Sequence, residues 1–273
     1  MVLGGSFKSP LLWKLSGIKM EKEKSPYNDN FYEQHIAGMF SSAETILGLL
    51  YAHYQPKSVV DIGCGQGAWL AVARRMGADV LKGLDGAWVD RERLYETAID
   101  FDAVDFDAGI PKAMGKYDLC ISLEVAEHIA QARERDFIKL LCNLSDTVLF
   151  SAAVRQQGGT HHVNEQWQSH WIDIFQEYGF TCIDLFRADI WNDQSVEWWY
   201  RQNIFLFVGP GNNSLDVQRL KKLEKPIVNI IHPINYENKI CDAKQTIDRP
   251  NLKFIISCIR KYIANKLRVG LNP

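Results

Sequence analysis

The chain has 273 residues, 47% of them apolar, with 31 Lys+Arg against 33 Asp+Glu for a formal net charge of -2. This composition argues against a disordered chain, a collagen-like repeat and a disulfide scaffold, and no apolar run approaches the roughly 18–20 residues a membrane-spanning helix needs. The near-zero total conceals a division: residues 1–214 hold 19 basic and 28 acidic side chains, whereas residues 215–273 hold 12 and 5.

Along the first 20 residues the apolar patch Leu11-Leu12-Trp13 is broken by Lys14, so no signal peptide is expected. Phe31–Tyr54 carries Ile36, Met39, Phe40, Ala43, Ile46, Leu47 and Leu50 at helical spacing and stops before Pro56. Ser58–Ile62 is a short β-branched strand, followed by glycines and by helix-forming Ala68–Arg75. The alternation continues with a strand at Val80–Leu84 ending on Asp85, a short helix at Arg91–Tyr95, a strand within Ala98–Phe106 and another at Tyr117–Leu123. Then come a helix at Glu134–Leu144, a strand at Thr147–Val154, a helix at His170–Tyr178 closed by Gly179, and strands at Thr181–Phe186 and Asn203–Val208. Such alternation predicts an α/β domain with a mostly parallel sheet covered on both faces.

Gly209-Pro210-Gly211-Asn212-Asn213-Ser214 is a breaker cluster. It divides the chain into an N-terminal segment (1–30), the α/β domain (31–212) and a basic C-terminal extension (213–273). Within the extension Val217–Leu223 reads as a short helix, Lys225–Asp248 as irregular, and Leu252–Val269 as a helix capped by Asn251 and ended by Gly270. Six cysteines (64, 120, 142, 182, 241 and 258) form no C-x-x-C pair, which fits a reducing, cytoplasmic location.

The stretch Asp61-Ile62-Gly63-Cys64-Gly65-Gln66-Gly67 carries most of the chemistry. Glycines directly after a strand let backbone approach a ligand closely, because they tolerate positive φ and have no Cβ. Spacing alone leaves dinucleotide binding open, since Ala68 can stand for a third glycine. Asp61 argues against it: a carboxylate there opposes pyrophosphate and suits a cationic amino-acid group. Asp85, about 20 residues on, is placed to accept hydrogen bonds from ribose hydroxyls.

On these residues, over roughly positions 30–210, the chain resembles the class I S-adenosylmethionine-dependent methyltransferases. Asp61 to Gly67 is similar to the family's first motif, Asp85 to its ribose-binding acid, Asp105-Phe106 to its adenine-contacting segment. Tyr117 to His128 (Tyr-Asp-Leu-Cys-Ile-Ser-Leu-Glu-Val-Ala-Glu-His) is similar to its fourth strand and following loop. The resemblance implies a Rossmann-like seven-stranded sheet with the last strand antiparallel, and S-adenosylmethionine held by Asp61, Gly63, Cys64, Gly65, Gly67, Asp85, Asp105, Phe106 and Leu123. It also implies an N-terminal lid at Phe31, Tyr32 and His35.

After the fifth strand lies Gln157-Gly158-Gly159-Thr160-His161-His162-Val163-Asn164-Glu165-Gln166-Trp167. Loops after strands line the ligand crevice in such sheets, and a hydroxyl acceptor wants a base that titrates near neutrality, as histidine does. The pattern resembles bacterial methyltransferases of glycan and natural-product biosynthesis, which makes His162 the first candidate base and His161 the second, with Glu124, Glu165 and Trp167 toward the acceptor. His128 and Glu127 start a helix and have a structural explanation there. One carboxylate in the loop is too few for a hard cation, so no metal is expected. The expected reaction is methyl transfer to a hydroxyl of a small molecule or glycan. N-methylation of an amine, or a non-catalytic cofactor-binding subunit, is the alternative.

On Leu252–Val269, Lys253, Ser257, Arg260, Lys261, Ala264 and Arg268 fall on one side; Leu252, Ile255, Ile256, Ile259, Ile263 and Leu267 fall on the other, and there is no acid. That stripe has three destinations: the catalytic domain, a second subunit in a homodimer, or peripheral contact with an anionic inner-membrane surface. Sparse aromatic interleaving argues against a nucleic-acid partner.

Overall fold

A computed structural model of the chain describes residues 29–106, 115–212, 215–223, 229–250 and 252–269; side chains of 29–36, 217, 223 and 264–269 lie outside the description. The chain divides into two units between His35 and Ile36, and the architecture below belongs to the second.

Seven strands form one sheet: β1 (Ser58–Ile62), β2 (Val80–Asp85), β3 (Ile99–Ala103), β4 (Leu119–Leu123), β5 (Thr147–Ser151), β6 (Thr181–Ile183) and β7 (Phe205–Val208). Their spatial order is β3-β2-β1-β4-β5-β7-β6, with β7 antiparallel to both neighbours and the other pairings parallel. Chain direction across the sheet reverses between β1 and β4, so the crevice for a ligand opens at their carboxyl ends.

Burial explains the sequence pattern. β4 and β5 are buried at every residue, as a strand covered on both faces must be, and β3 at the edge alternates. Its outward Asp100 and Asp102 are held by Lys82 of β2, at 2.7 and 2.6 Å. On one face Val59, Leu81, Ile121, Leu149 and Leu206 pack against α1 (Asp29–Tyr51) and α2 (Ala68–Arg75). On the other, Val60, Ile62, Cys120, Val148 and Phe207 pack against α3 (Glu134–Leu144) and α4 (Gln168–Glu177), where Phe175 stacks on Phe207 at 3.8 Å.

Several boundaries move from the sequence reading. β5 ends at Ser151 because its last parallel partner is Leu123, and Ala152–Val154 run on buried without a ladder. Asn203 and Ile204 are not strand: Asn203 ends a short helix, and β7 begins at Phe205. Two short helices escaped the pattern, α5 (Arg187–Ile190) and α6 (Trp198–Asn203). Arg187 is 2% exposed, forks onto Asp184 at 3.0 and 2.6 Å and lies over the Phe205 ring at 4.1 Å, a buried charge with its partners in place.

The extension also differs. α7 (Val217–Leu223) is as expected, but the stretch read as irregular contains α8 (Pro233–Asp248). His232 caps it, Nδ1 accepting from the Ile234 N–H at 3.3 Å, and Pro233 occupies the first turn, where its missing donor costs nothing. Packing continues past the breaker. The Gln202 side-chain carbonyl accepts from His232 N–H (2.7 Å) and Asn235 Nδ2 (3.3 Å), while its amide donates to Gln157 Oε1 and Asn203 Oδ1, both at 3.0 Å. Because Gln202 is fully buried, Gln202→Leu strands these groups and is expected to lower stability by about 1–3 kcal/mol, read from urea midpoints.

α9 (Leu252–Val269) keeps its apolar side uncovered: Leu252, Ile255, Ile256, Ile259 and Ile263 are all exposed, so among the described residues it does not dock this stripe on the domain. No described helix is long and apolar enough to cross a membrane.

Candidate active site

The turn after β1 is built by backbone. Gly63, Gly65 and Gly67 have φ of 80°, 53° and 81°, and the N–H groups of Gly63 and Cys64 donate to Leu84 O at 2.7 and 3.2 Å. A Cβ on Gly63 would run into the Val125 side chain. Gly63→Ala therefore combines left-handed strain with a clash, and is expected to cost about 1–3 kcal/mol, seen as a lowered Tm. Asp85 locks the turn from β2, accepting from Gly65 N–H through Oδ2 (2.7 Å) and from Gly86 N–H through Oδ1 (2.6 Å).

Asp61 lies beneath this turn, 3% exposed, and its Oδ2 has no hydrogen-bond partner. Burial, and then the nearby Asp85, push its carboxyl well above the usual carboxylate range. Such an atom suits a cationic ligand. Cys64 is buried, and burial pushes its thiol far up, which leaves it no nucleophilic role.

A cleft of about 460 Å³ opens at the carboxyl ends of β1, β2 and β3, lined by Gly63, Asp85, Trp88, Asp105, Phe106 and Val125 among others. His128, Thr160 and His161 form its far wall. The cleft joins a glycine turn with no side chains in the way, a carboxylate at the end of β2 and an apolar Val104–Phe106 wall, next to the unpartnered carboxylate of Asp61. These features fit an adenosyl amino acid: hydroxyls for Asp85, a flat base for Phe106, an ammonium for Asp61. Leu123 closes β4 from within the core, 9% exposed. Phe31, Tyr32 and His35 lie on α1, but their side chains are outside the described residues.

Next to the cleft stands a second constellation. Glu124, first residue past β4, has φ of 55°, a conformation that costs a non-glycine residue and that the surroundings must enforce. Its N–H donates to Ser151 O at 3.0 Å, and its carboxylate accepts from Gln157 Nε2 (2.9 Å) and Asn203 Nδ2 (3.2 Å). Burial raises its carboxyl against the pull of those bonds. His162 Nδ1 is 2.9 Å from Glu165 Oε1, and Glu165 is itself fixed by the N–H groups of Gln156 (2.7 Å) and Gly158 (2.6 Å). The rings of His128 and His162 meet edge to face at 4.8 Å. His161 is exposed, with φ of 61°, and lines the cleft, while its carbonyl meets His128 Nδ1 at 3.3 Å. Trp167 is half-buried at the cap of α4, and the neighbouring Trp171 packs on Phe150.

Sequence reasoning missed four members of this constellation. Gln157, Gln202 and Asn203 act through amides brought from separate elements, with no local pattern to betray them. Glu127 had a bland explanation at a helix start, yet it is fully buried with no side chain hydrogen-bonding its carboxylate, and its backbone carbonyl accepts from Val163 and Asn164 N–H, both at 2.9 Å. The loop thus folds over it. The side-chain ligand atoms of Glu127, His128 and His162 lie within 4.8 Å of one another, which makes them the described residues able to hold a metal.

This sheet order, with its glycine turn and acid at the switch point, defines a class I methyltransferase fold. The chain matches the family described as "Methyltransferase domain" over residues 40–194, and it belongs to that family. It is an S-adenosylmethionine-dependent methyltransferase. Among curated relatives it is similar to the tRNA (carboxymethyluridine(34)-5-O)-methyltransferases of Xenopus tropicalis (30% identical over 161 residues, 54% of this chain, 24% of that one) and Macaca fascicularis (30% over 152 residues, 51% and 21%). The chain thus spans about a quarter of the length of the curated relatives it matches. Among solved structures it is similar in fold to magnesium protoporphyrin IX methyltransferase from Synechocystis PCC 6803 with bound S-adenosylmethionine, at 18% identity, 68% of this chain, 86% of that one and a TM-score of 0.50.

Proposed function

We propose that this chain methylates a hydroxyl oxygen of a small molecule or sugar and that the acceptor oxygen is activated at His162. The observation that carries the reading is the Glu165–His162 pair. With Nδ1–H donated to Glu165, the Nε2 lone pair is left unprotonated and turned toward the buried side of the site. Beside it, His128, Thr160 and His161 in the cleft wall offer polar groups to an acceptor. In this reading Asp61 holds the donor's ammonium, Asp85 its ribose, Asp105 and Phe106 its adenine, and the Gly63, Cys64, Gly65 and Gly67 backbone lies along it beside Leu123. Bound S-adenosylmethionine supplies an electrophilic methyl group on a sulfonium. The chain's own task is to align the acceptor and remove its proton.

An oxygen acceptor also agrees with the names of the two curated relatives, which specify 5-O-methylation. Those names favour a second reading, an RNA acceptor, for which the 12 basic against 5 acidic residues of 215–273 would supply phosphate contacts. The test is S-adenosylhomocysteine release across matched panels of sugars, phenols, amines and uridine-containing RNA. Turnover confined to hydroxyl-bearing small molecules supports the first reading. Turnover on amines alone removes it, and turnover on RNA alone transfers the site to the second.

A further inference from the structure

We propose that Glu127, His128 and His162 form a binding site for a divalent cation of borderline character, such as Mn²⁺, Co²⁺ or Zn²⁺. The first observation is Glu127. A fully buried carboxylate that no side chain hydrogen-bonds, with only the backbone at Glu127 and Ala153 to offset its burial, is costly, and a structure keeps one where a counter-charge arrives. His162 Nε2 lies 4.0 Å from Glu127 Oε1, and a ring nitrogen of His128 lies within 4.8 Å of both residues' ligand atoms. The His162–Glu127 distance is too long for a hydrogen bond and longer by roughly an ångström than the spacing of two ligands on one cation at about 2.1 Å, so a bound ion draws the pair modestly together.

The second observation is independent of the first: each imidazole has its Nδ1 committed. His162 Nδ1 meets the Glu165 carboxylate at 2.9 Å, and His128 Nδ1 meets the His161 carbonyl at 3.3 Å. Carboxylate and backbone carbonyl are the usual outer partners of metal-ligating histidines, since they fix the tautomer that turns Nε2 toward the ion. The His128 arrangement is not needed for packing, because His128 is exposed. The left-handed φ of His161 is what aims its carbonyl at the His128 ring.

The donor set selects the ion. Two imidazoles with one carboxylate suit borderline first-row cations, whereas magnesium and calcium ask for more oxygens. Three protein ligands leave coordination positions open, and His128 stands in the wall of the cleft, so an open position faces the acceptor side. Glu124 does not ligate, as its carboxylate is taken by Gln157 and Asn203. The site deepens the O-methylation reading on which its catalytic meaning rests: an acceptor hydroxyl bound to the cation becomes more acidic and releases its proton to solvent before its oxygen takes the methyl group. His162 then contributes as a ligand.

Binding is measured on the full chain without donor or acceptor, which separates this site from the choice of substrate. After chelator treatment the protein is titrated with Co²⁺, followed by visible absorption, and with Mn²⁺, followed by electron paramagnetic resonance. We expect one equivalent per chain, abolished by Glu127→Gln, weakened at least tenfold by His128→Asn, and weakened about 10–100-fold by Glu165→Gln, which removes only the outer partner. His170→Gln, at a histidine paired with Glu134 at 3.1 Å, should leave binding unchanged. His128→Asn, at an exposed position, keeps the test valid if Glu127→Gln fails to fold. No bound equivalent at about millimolar metal, or equal affinity in wild type and His128→Asn, overturns the proposal.

Discussion

Replacing His162 by alanine is expected to lower kcat/KM on a hydroxyl acceptor by about 10²–10⁴-fold, the range that removal of a group activating an acceptor commonly costs. The expectation rests on geometry: Glu165, pinned by two backbone N–H groups, holds His162 Nδ1 at 2.9 Å, so that Nε2 is the ring atom left to act on the acceptor directly or through a bound cation. Binding of S-adenosylmethionine should change little, because His162 does not line the cleft. Calorimetry of the donor alongside initial rates checks both halves, and unchanged turnover in the variant would remove His162 from the chemistry. Glu165→Gln should lose part of the same activity, since a neutral amide still accepts from Nδ1 but no longer favours a positively charged ring or site.

Asp61→Asn is expected to move stability and donor affinity in opposite directions. In the donor-free protein a buried carboxylate with an unpartnered oxygen is a burden, so the neutral amide should raise Tm by about 2–6 °C, corresponding to about 1–2 kcal/mol. The sign follows from the raised folded-state value. Asp61 is protonated in both states below its ordinary value near 3.8 and contributes no penalty there. As pH rises from that value through the higher folded-state one, the unfolded chain ionises first, and stability falls before levelling off. The advantage of Asp61→Asn should therefore grow over that window and stay constant above it. Donor binding should weaken about 10–100-fold, the loss of one charge-assisted hydrogen bond. Differential scanning calorimetry from pH 4 upward, with and without S-adenosylmethionine, measures both. A variant that is less stable throughout would show that Asp61 is satisfied without the donor.

The two experiments concern residues of different legibility. Asp61, the glycine turn and Asp85 could be read from the sequence because their chemistry is local: a buried strand ending in an acid, then residues that permit positive φ, then a second strand ending in an acid. The central strands were legible for the same reason, their continuous apolar runs being bounded by breakers. Glu127 was not. Its role depends on the 161–164 loop returning across some 35 residues to hydrogen-bond its carbonyl, and an acid at a helix start needs no such explanation. Asn203 was assigned to a strand because it adjoins an apolar run, whereas its amide reaches Glu124 from the end of α6. α8 was missed because its polar Asn, Glu, Lys and Gln residues give little periodicity, while its start was spelled out in His232-Pro233.

The contact between Gln202 and the His232–Asn235 segment bears on how this enzyme can be cut. A fragment ended at Asn212, where the sequence breaks, would strip the Gln202 side-chain carbonyl of its partners His232 and Asn235, and would leave the Gln168 amide and the Trp191 carbonyl with only their longer contacts to Gln202 O and Arg201, at 3.4 Å each. The same Gln202 amide holds Gln157, which holds Glu124. A nick near residue 230 is thus linked through two side chains to Glu124 and the Gln157 end of the loop after β5, and a fragment that keeps these contacts is expected to end beyond Asn235.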